Sequence, residues 1–337
     1  MSPPSSSDRL LLTGATGFIG FIVLLDALEQ GWHVRVAVRS PARFESLAKH
    51  PLIAALGVPE QLSFVEVPDI CAPNAYDEAI KGVTHVIHLA SPLPSPSLDP
   101  LTGIYEPNVN SVAAMLKATL AVSSLKKLVI TSSVFGNSPF PPDPSRHITA
   151  ESRVPELPGP FDSMMPAYWG GKIAATNAVD AFVKDNNPSF DVSIVFPGFV
   201  FGRDKRALKL EDFLASTNRV MLGVITGQDS GEDPMPAGAV HVEDAAALHM
   251  LALREGAPRN IGATVPHAFQ EAWAFAEKHF PAAVEAGVFT KGIQPTIPVN
   301  WDAGQTERDF DFKFRTWEDM VVDAAGQYLE LLGKEKA

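Results

Sequence analysis

The feature that most limits what this chain can fold into is a glycine-rich turn near the N-terminus. The apolar run Leu10–Thr13 leads into it, and an apolar helical segment, Phe21–Gln30, and a strand-like run, His33–Arg39, follow it. This order is typical of the first half of a dinucleotide-binding unit, because glycine permits the sharp turn and lets the backbone approach a pyrophosphate. The helix N-terminus then presents N–H groups and a partial positive charge to the phosphates. The predicted phosphate-binding residues are Gly14, Ala15, Thr16, Gly17, Phe18, Ile19 and Gly20.

Apolar strand-like runs alternate with helical patterns as far as residue 197. Strands are predicted at Leu10–Thr13, His33–Arg39, Leu62–Val67, His85–Ala90, Leu128–Thr131 and Val192–Phe196. Helices are predicted at Ala42–Leu56, Tyr76–Lys81, Val109–Ser123 and Ala167–Asp185. Several strands are apolar throughout, as in a parallel sheet covered by helices on both faces. The expected fold class is α/β, a doubly wound parallel Rossmann sheet.

The regular alternation ends near residue 197, which predicts a second, smaller lobe. We expect an NADP-binding Rossmann domain over residues 8–200, with a returning segment at about 239–262, and a mainly substrate-binding C-terminal lobe over 201–337. Further helices are predicted at 210–221, 243–254, 269–279 and 316–332. The long Pro-rich loop at 138–166 is typical of a lid or binding loop.

Bulk composition narrows the class of partner. The 337-residue chain has a formal net charge of −12, which disfavours nucleic acid and anionic membrane surfaces as partners. Its single cysteine, Cys71, cannot form an intrachain disulfide, and no apolar run reaches the roughly 18 residues of a membrane span. The polar, Pro/Ser-rich start does not match a signal peptide. We therefore expect a soluble, cytoplasmic protein that acts on a small molecule.

A Tyr-x-x-x-Lys pair, Tyr168 and Lys172, begins one of the predicted helices. Residues four apart lie on one face of a helix, so the lysine ammonium comes close to the phenol. A free phenol titrates near about pH 10, and a neighbouring cation brings its pKa closer to neutral. The pair therefore predicts a proton donor, Tyr168, with Lys172 tuning it and binding a cofactor ribose.

Three hydroxyl side chains, Thr131, Ser132 and Ser133, follow the apolar run that begins at Leu128. In an open α/β sheet ligands bind at the C-terminal ends of the strands, so these hydroxyls are expected to face the ligand. A serine at this place can hold a substrate carbonyl oxygen beside the tyrosine hydroxyl. The residues alone leave the choice between Ser132 and Ser133 open.

Together these motifs resemble those of the extended short-chain dehydrogenase/reductases, close to the group of dihydroflavonol reductases and fungal NADPH-dependent aldehyde reductases of the methylglyoxal type. The matching segments are residues 13–20, 69–70, 88–92, 131–133, 168–172, 197–202, 241–244 and 312–320. The resemblance covers nearly the whole chain. One departure is Gly171, which stands where the family often has serine.

The resemblance also implies roles for individual residues. Ser133, Tyr168 and Lys172 match the catalytic positions, and Asn108 matches a position associated with the cofactor and the proton relay. Further implied cofactor contacts are Asp69, Ile70, Leu89, Ala90, Ser91, Thr131, Pro197, Gly198 and Val200. Similar proteins occur as monomers and as dimers, so we expect a monomer or a homodimer.

The end of the second predicted strand indicates which cofactor is used. NAD-binding proteins usually place an acidic residue there to accept a hydrogen bond from the ribose 2′-hydroxyl. This chain has Arg39 instead, and Arg43 follows four residues later. A guanidinium group offers a planar fork of donors to a phosphate dianion. We therefore predict NADP(H) as the cofactor.

The remaining candidates concern metals and the substrate pocket. His88 and His241 lack the ligand spacing of a metal site, so no metal is predicted. The candidate pocket walls are aromatic or sulfur-containing, which suits an apolar or aromatic carbonyl compound. They are Phe135, Phe140, Phe161, Met164 and Met165, with residues of the 202–238 stretch. Three basic residues of that stretch leave a charged substrate open: Arg203, Lys205 and Arg206.

The expected activity is an NADP-dependent oxidoreductase reaction on CH–OH or carbonyl groups. Ser133 and Tyr168 bind the carbonyl oxygen of an aldehyde or ketone, hydride reaches its carbon, and Tyr168 delivers the proton. One alternative is an epimerase or dehydratase of the same superfamily. Such dehydratases typically carry an acidic pair after the strand-end hydroxyl, where this chain has Val134 and Phe135. Another alternative is a non-catalytic NADP(H) sensor, a class that generally lacks the Tyr/Lys pair.

Overall fold

A computed structural model describes residues 4–92, 95, 97–228 and 231–333. The chain divides into two compact units. The first contains the described residues up to Phe140, together with Ala150–Phe196 and Ala246–Ile261. The second contains Pro141–Thr149, Pro197–Ala245 and the described residues from Gly262 onward.

The strands and helices follow one another along both units. The strands are β1 (Arg9–Thr13), β2 (His33–Val38), β3 (Leu62–Glu66), β4 (His85–His88), β5 (Lys127–Thr131), β6 (Ile148–Thr149), β7 (Asp191–Pro197), β8 (Phe199–Phe201), β9 (Met235–Pro236), β10 (Ala239–His241), β11 (Asn260–Ala263), β12 (Thr296–Ile297) and β13 (Trp301–Asp302). The helices are α1 (Phe18–Glu29), α2 (Pro41–Ala48), α3 (Pro51–Leu56), α4 (Glu106–Thr119), α5 (Met164–Asn186), α6 (Leu210–Leu214), α7 (Asn218–Thr226), α8 (Val242–Leu251), α9 (Glu271–His279), α10 (Pro281–Glu285), α11 (Gly304–Phe310) and α12 (Trp317–Leu331). Shorter turns of 3₁₀ or π helix lie at Pro59–Gln61, Pro100–Tyr105 and Val134–Gly136.

The first unit is built on a parallel seven-stranded sheet in the order β11-β7-β5-β4-β1-β2-β3. The strand order reverses on either side of β1, and the register sets Thr13 level with Ala37 on β2 and with His88 on β4. Three strand ends therefore meet at the switch point, where doubly wound proteins bind their ligands. The predicted fold class is confirmed.

Both faces of this sheet are covered, as continuous apolar strands require. Leu10, Leu11 and Leu12 are all fully buried although successive side chains of a strand point to opposite faces. Helix α1 buries an equally continuous run from Gly20 to Leu25. The core of the first unit therefore lies on both sides of the sheet and fixes the positions of its strand ends.

Some local predictions were wrong. The helix predicted over Ala42–Leu56 is two helices, because Pro51 lacks an N–H and begins a new helix that His50 caps by accepting from Leu52 N–H at 3.3 Å. The predicted helix Tyr76–Lys81 is a set of turns.

The second unit combines small parallel strand pairs with a helical core. The pairs are β8 with β10, β9 with β12, and β6 with β13. The core packs large side chains, among them Phe201, Phe213, Phe269, Phe289 and Trp317. The single helix predicted over 210–221 is two helices, α6 and α7. Within the described parts of both units, no helix is long and apolar enough to cross a membrane.

Candidate active site

The glycine turn between β1 and α1 requires glycine on steric grounds. Gly14 has a φ of +76°, and a Cβ there would lie 2.9 Å from the backbone nitrogen of Ala90. A Cβ on Gly20 would lie 2.1 Å from the Gly14 carbonyl oxygen. The turn is closed by the Gly17 N–H, which donates to that carbonyl at 2.8 Å. The backbone is thus packed against itself and against the segment after β4, which forms a cradle that a Cβ would fill.

Helix α1 begins directly after this turn, with Gly17 as its N-cap and with no acidic residue in its first turn. The N-terminal end of α1 therefore keeps its partial positive charge free of compensation by a carboxylate of its own first turn. The predicted residues Ala15, Thr16, Phe18 and Ile19 lie in the turn or the first turn of α1. This geometry suits a diphosphate.

Thr13 and His88 connect the ends of β1 and β4. The Thr13 hydroxyl accepts from the Ala90 N–H at 3.0 Å and lies 2.9 Å from Nδ1 of His88. Burial lowers the pKa of His88 to about 3, so the ring is neutral near pH 7. His88 therefore has a structural role at the switch point, and it holds the segment containing Leu89 and Ala90 against the glycine turn.

The residues predicted to select the cofactor lie on the surface after β2 and β3. Arg39 and Arg43 are exposed, and neither side chain forms an ion pair with any described residue. Asp69 accepts from the Cys71 N–H at 2.8 Å, which makes a local turn and leaves Ile70 partly exposed. Two cationic side chains are therefore available to an anion at this edge.

Tyr168 and Lys172 lie one turn apart near the start of α5. The Lys172 Nζ atom is 5.5 Å from the centre of the Tyr168 ring. Burial lowers the pKa of Lys172 to about 8 and raises the pKa of Tyr168 to about 12. The tyrosine pKa lies above its ordinary value and not below it as the spacing predicted, because burial removes the phenol from water.

The two serines after β5 have different partners. The Ser132 hydroxyl lies 2.7 Å from the Thr176 hydroxyl, which itself donates to the Lys172 carbonyl at 2.8 Å. Ser133 is buried and caps the 3₁₀ turn Val134–Gly136 by accepting from the Phe135 N–H at 3.3 Å. Ser132 therefore ties the end of β5 to α5, and this contact separates two residues that the sequence left equivalent.

Gly136 is a site residue that the sequence analysis missed. A Cβ at this position would lie 2.4 Å from the Ser132 hydroxyl oxygen and 2.5 Å from that of Thr176. Only glycine lets the 3₁₀ turn lie this close to α5. The only signal in the sequence is a glycine three residues after Ser133, which is not specific by itself.

Asn108 on α4 is buried and lies between two segments of the site. Its amide oxygen accepts from the Ser91 hydroxyl at 2.8 Å, and the same hydroxyl oxygen accepts from Lys172 Nζ at 2.9 Å. A Cβ on Gly171 would lie 3.0 Å from the Asn108 Cβ. The glycine at this unusual position therefore allows α4 and α5 to approach each other beside Lys172.

Thr131, predicted to contact the cofactor, has a protein partner. Its hydroxyl lies 2.7 Å from Nε2 of His249 on α8, a fully buried histidine. The sequence analysis did not single out His249, because 118 residues separate it from Thr131. The end of β5 is therefore tied to α8 through Thr131 and to α5 through Ser132.

Three predicted cofactor residues, Pro197, Gly198 and Val200, lie at the start of the segment Pro197–Ala245 of the second unit. Pro197 ends β7, the Gly198 N–H donates to the Ala263 carbonyl at 3.0 Å, and Val200 lies in β8 opposite Val240. A Cβ on Gly198 would lie 2.6 Å from the Gly238 carbonyl oxygen. This segment is therefore held tightly within its own unit.

The basic residues that left a charged substrate open are already paired within the second unit. Arg203 pairs with Asp323 and Glu330, Lys205 with Glu243, and Arg206 with Asp204. His241 lies 3.1 Å from Asp323. No group of three potential metal ligands occurs in the chain outside the gaps at 1–3, 93–94, 96, 229–230 and 334–337.

The predicted pocket walls of the first unit form an aromatic cluster around the start of α5. Phe135 stacks on Trp169 with ring centres 4.2 Å apart and lies edge-on to Tyr168 at 6.2 Å. Phe140 contacts the same tryptophan at 5.3 Å, and Phe161 lies 4.9 Å from Tyr105. Met164 and Met165 begin α5 and are partly exposed. Phe135 is therefore the aromatic neighbour of the Tyr168 ring, and Phe140, Phe161, Met164 and Met165 remain partly exposed.

Comparisons with known proteins agree with this fold. The NAD dependent epimerase/dehydratase family matches residues 10–262. The chain is 33% identical to Ketoreductase CTB6 of Cercospora beticola, with 98% of each chain covered. It is 38% identical to NAD-dependent epimerase/dehydratase ALT6 of Alternaria alternata over 72% of each chain.

A solved structure shows the same fold over nearly the whole chain. The yeast methylglyoxal/isovaleraldehyde reductase Gre2, complexed with NADPH, superposes with a TM-score of 0.79 at 23% identity, covering 97% of this chain and 99% of that one. At this identity the likeness shows the fold. The family match and the relatives confirm the resemblance read from the motifs, and the chain therefore belongs to the NAD dependent epimerase/dehydratase family of extended short-chain dehydrogenase/reductases.

Proposed function

We propose that this protein is an NADPH-dependent carbonyl reductase that reduces an apolar or aromatic aldehyde or ketone. The observation that carries the proposal is the position of Lys172 Nζ, 5.5 Å from the Tyr168 ring centre on a helix tied to the end of β5. The ketoreductase named among the relatives supports the reaction class. We assign cofactor binding mainly to residues 8–200 and 239–262, and substrate binding mainly to residues 201–337.

The chain's own residues fit a dinucleotide. The cradle at Gly14 and Gly20 excludes any Cβ, and α1 directs its N-terminal end towards the same turn. When bound, NADPH supplies the hydride that reaches the carbonyl carbon. Arg39 and Arg43 lack ion-pair partners in the described chain and favour a 2′-phosphate over a 2′-hydroxyl.

Proton delivery is assigned to Tyr168. Its phenol is protonated near neutral pH because burial raises its pKa to about 12, so it is a donor in the resting site. As charge develops on the carbonyl oxygen, Tyr168 and Ser133 donate hydrogen bonds to it, and the tyrosine proton then moves to that oxygen. Lys172 stabilises the phenolate left behind through its positive charge.

The side chains near the start of α5 favour an uncharged substrate. Phe140 and Phe161 are partly exposed aromatic side chains near the start of α5. The arginines once considered as counter-ions are paired with carboxylates. A charged substrate would compete with those ion pairs. An uncharged aromatic carbonyl compound fits these contacts best.

The alternatives make different demands on the same positions. A dehydratase of the family type uses carboxylates after β5, whereas Val134 and Phe135 are buried apolar side chains here. An epimerase retains tightly bound NAD. A sensor has no use for the buried Lys172 beside Tyr168.

The test is the oxidation of NADPH, followed by its absorbance, with a panel of aromatic aldehydes, α-ketoesters, diketones and flavanone-type ketones. We expect turnover with NADPH, much less with NADH, and loss of most turnover in Tyr168→Phe with NADPH binding kept. Near-wild-type turnover of Tyr168→Phe would refute the role of the tyrosine. Stoichiometric NAD in the purified protein would favour the epimerase alternative.

A further inference from the structure

Ser91, three residues after the end of β4, forms hydrogen bonds with side chains of two helices. Lys172 on α5 donates from Nζ to the Ser91 hydroxyl oxygen at 2.9 Å, and Ser91 donates to the amide oxygen of Asn108 on α4 at 2.8 Å. The orientation of the amide is fixed, because its nitrogen donates to the Ile104 carbonyl at 2.8 Å. Asn108 therefore presents only its oxygen to Ser91.

This arrangement determines the direction of the hydrogen bonds. A serine hydroxyl has one proton, and here Asn108 accepts it. Ser91 can therefore offer Lys172 only lone pairs, and a charged ammonium group donates to them more strongly than a neutral amine does, so the contact favours the protonated form. We propose that Ser91 is a positioning residue that keeps Lys172 protonated and fixed beside Tyr168, an inference that rests on the proposed carbonyl reductase function.

The effect of Ser91 opposes that of burial. Lys172 is 5% exposed and forms no ion pair within the described ranges. Burial alone lowers the pKa of Lys172, to about 8. A hydroxyl that accepts from the ammonium offsets part of this loss of hydration, so removing the hydroxyl lowers the pKa further.

The other titratable groups that face Lys172 carry no negative charge near pH 7 that would stabilise its ammonium group. Tyr168 on α5 is neutral near pH 7, and so is His88 on β4, whose pKa burial lowers to about 3. The turn Pro100–Tyr105 contributes Tyr105, whose pKa burial raises, and α4 contributes the uncharged Asn108. The turn Val134–Gly136 carries no titratable side chain. Ser91 is thus the hydrogen-bond acceptor on which the ammonium depends in the described part of the site.

The backbone holds Ser91 in place. The preceding residue, Ala90, donates its N–H to Thr13, and its nitrogen would lie 2.9 Å from a Cβ on Gly14. The backbone of this segment is therefore fixed against the glycine turn, and the Ser91 side chain forms its hydrogen bond with Lys172 on α5. A mutation of Ser91 changes the hydroxyl without removing either backbone contact.

The experiment measures the pKa of Lys172 in the ligand-free protein by NMR of lysine side chains carrying ¹³C at Cε, with Lys172→Arg identifying the signal. We expect Ser91→Ala to lower this pKa by about 0.5 to 1 unit. Ser91→Thr keeps the hydroxyl and should give the same pKa as the wild type. Ser91→Cys keeps the side-chain volume but is a weak acceptor, so it should also lower the pKa. Ser124→Ala, which removes a hydroxyl bonded to the Val83 carbonyl, is the matched control and should leave the pKa unchanged.

A second readout uses turnover. In Ser91→Ala the alkaline limb of the kcat/KM profile should move to lower pH by the same shift, and Ser91→Thr should move it back. Unchanged titration of Lys172 in both the alanine and cysteine variants would overturn the proposal, even if turnover fell equally at every pH. Because the titration needs no substrate, a wild-type protein without reductase activity would contradict the proposed function and leave the pKa test of Ser91 intact.

Discussion

Lys172 Nζ lies 5.5 Å from the centre of the Tyr168 ring and also donates to the Ser91 hydroxyl at 2.9 Å. One side chain therefore connects the predicted proton donor on α5 with the segment that follows β4. Lys172 is itself buried, and this burial lowers its pKa to about 8.

The protonation of Lys172 should limit activity at high pH. Because burial lowers its pKa to about 8, the fraction of ammonium falls as pH rises through that value, and kcat/KM should fall with it. Lys172→Arg keeps a cation to a much higher pH, so its alkaline limb should move upward even if its maximal rate is lower. A variant with the same alkaline limb as the wild type would exclude Lys172 as the titrating group.

The two serines after β5 should respond differently to substitution. Ser133→Ala should lower kcat by about 10²-fold or more with little change in NADPH affinity, because the developing charge on the carbonyl oxygen loses a donor. Ser132→Ala should cost about 1 kcal/mol of unfolding free energy, because the Thr176 hydroxyl loses a partner, with a smaller effect on kcat. Equal losses of kcat in the two variants would contradict the assignment.

Arg39 should determine the preference for NADPH. Loss of a charge-assisted hydrogen bond costs about 1.5 to 3 kcal/mol, so Arg39→Ala should weaken NADPH binding by about 10- to 100-fold and leave NADH binding nearly unchanged. Fluorescence titration with each cofactor measures the two dissociation constants and hence the ratio of NADPH affinity to NADH affinity. Arg35→Ala is the matched control, because Arg35 lies on β2, the strand that Arg39 follows, but donates to the Ala79 and Lys81 carbonyls. A similar fall in the ratio for the control would point to a general effect of net charge.

Local patterns predicted the parts of the site that depend on residues close in sequence. The glycine turn depends on seven consecutive residues, and the approach of Lys172 to Tyr168 depends on one turn of one helix. The structure has a tight turn at Gly14 and has Lys172 Nζ 5.5 Å from the Tyr168 ring centre, as these local patterns predict. The break between α2 and α3 was also readable, since Pro51 marks a helix start, but the apolar pattern across it favoured one helix.

Contacts between distant segments could not be predicted in the same way. The Ser132–Thr176 pair joins residues 44 positions apart, and the Thr131–His249 pair joins residues 118 apart. Their hydroxyl and imidazole groups have no distinctive local pattern, because such groups also occur in turns and on surfaces. The same reason applies to Gly136, whose importance comes from a helix that begins 28 residues later in the chain at Met164.

Lys127, at the start of β5, gives a prediction about stability. The residue is 2% exposed, and its Nζ has no hydrogen-bond partner in the described structure. Burial lowers its pKa, so between that lowered value and the ordinary 10.5 the unfolded chain binds more protons and stability rises with pH. Lys127→Met has a similar length and no charge to desolvate, and it should raise the free energy of unfolding near pH 7 by about 1 to 3 kcal/mol.

The neighbouring residue is the control for this prediction. Lys126 is exposed and pairs with Asp8 at 2.7 Å. Burial would raise the pKa of Asp8, but the hydrogen bonds from Lys126 and Ser5 outweigh it and lower that pKa to about 2. Lys126→Met should therefore lower the free energy of unfolding by about 1 kcal/mol or less and leave the rise of stability at alkaline pH in place. Urea denaturation at pH 7 and pH 10 measures both variants. If Lys127→Met were less stable than the wild type at both pH values, the buried amine would have to be making a favourable interaction that outweighs its loss of hydration.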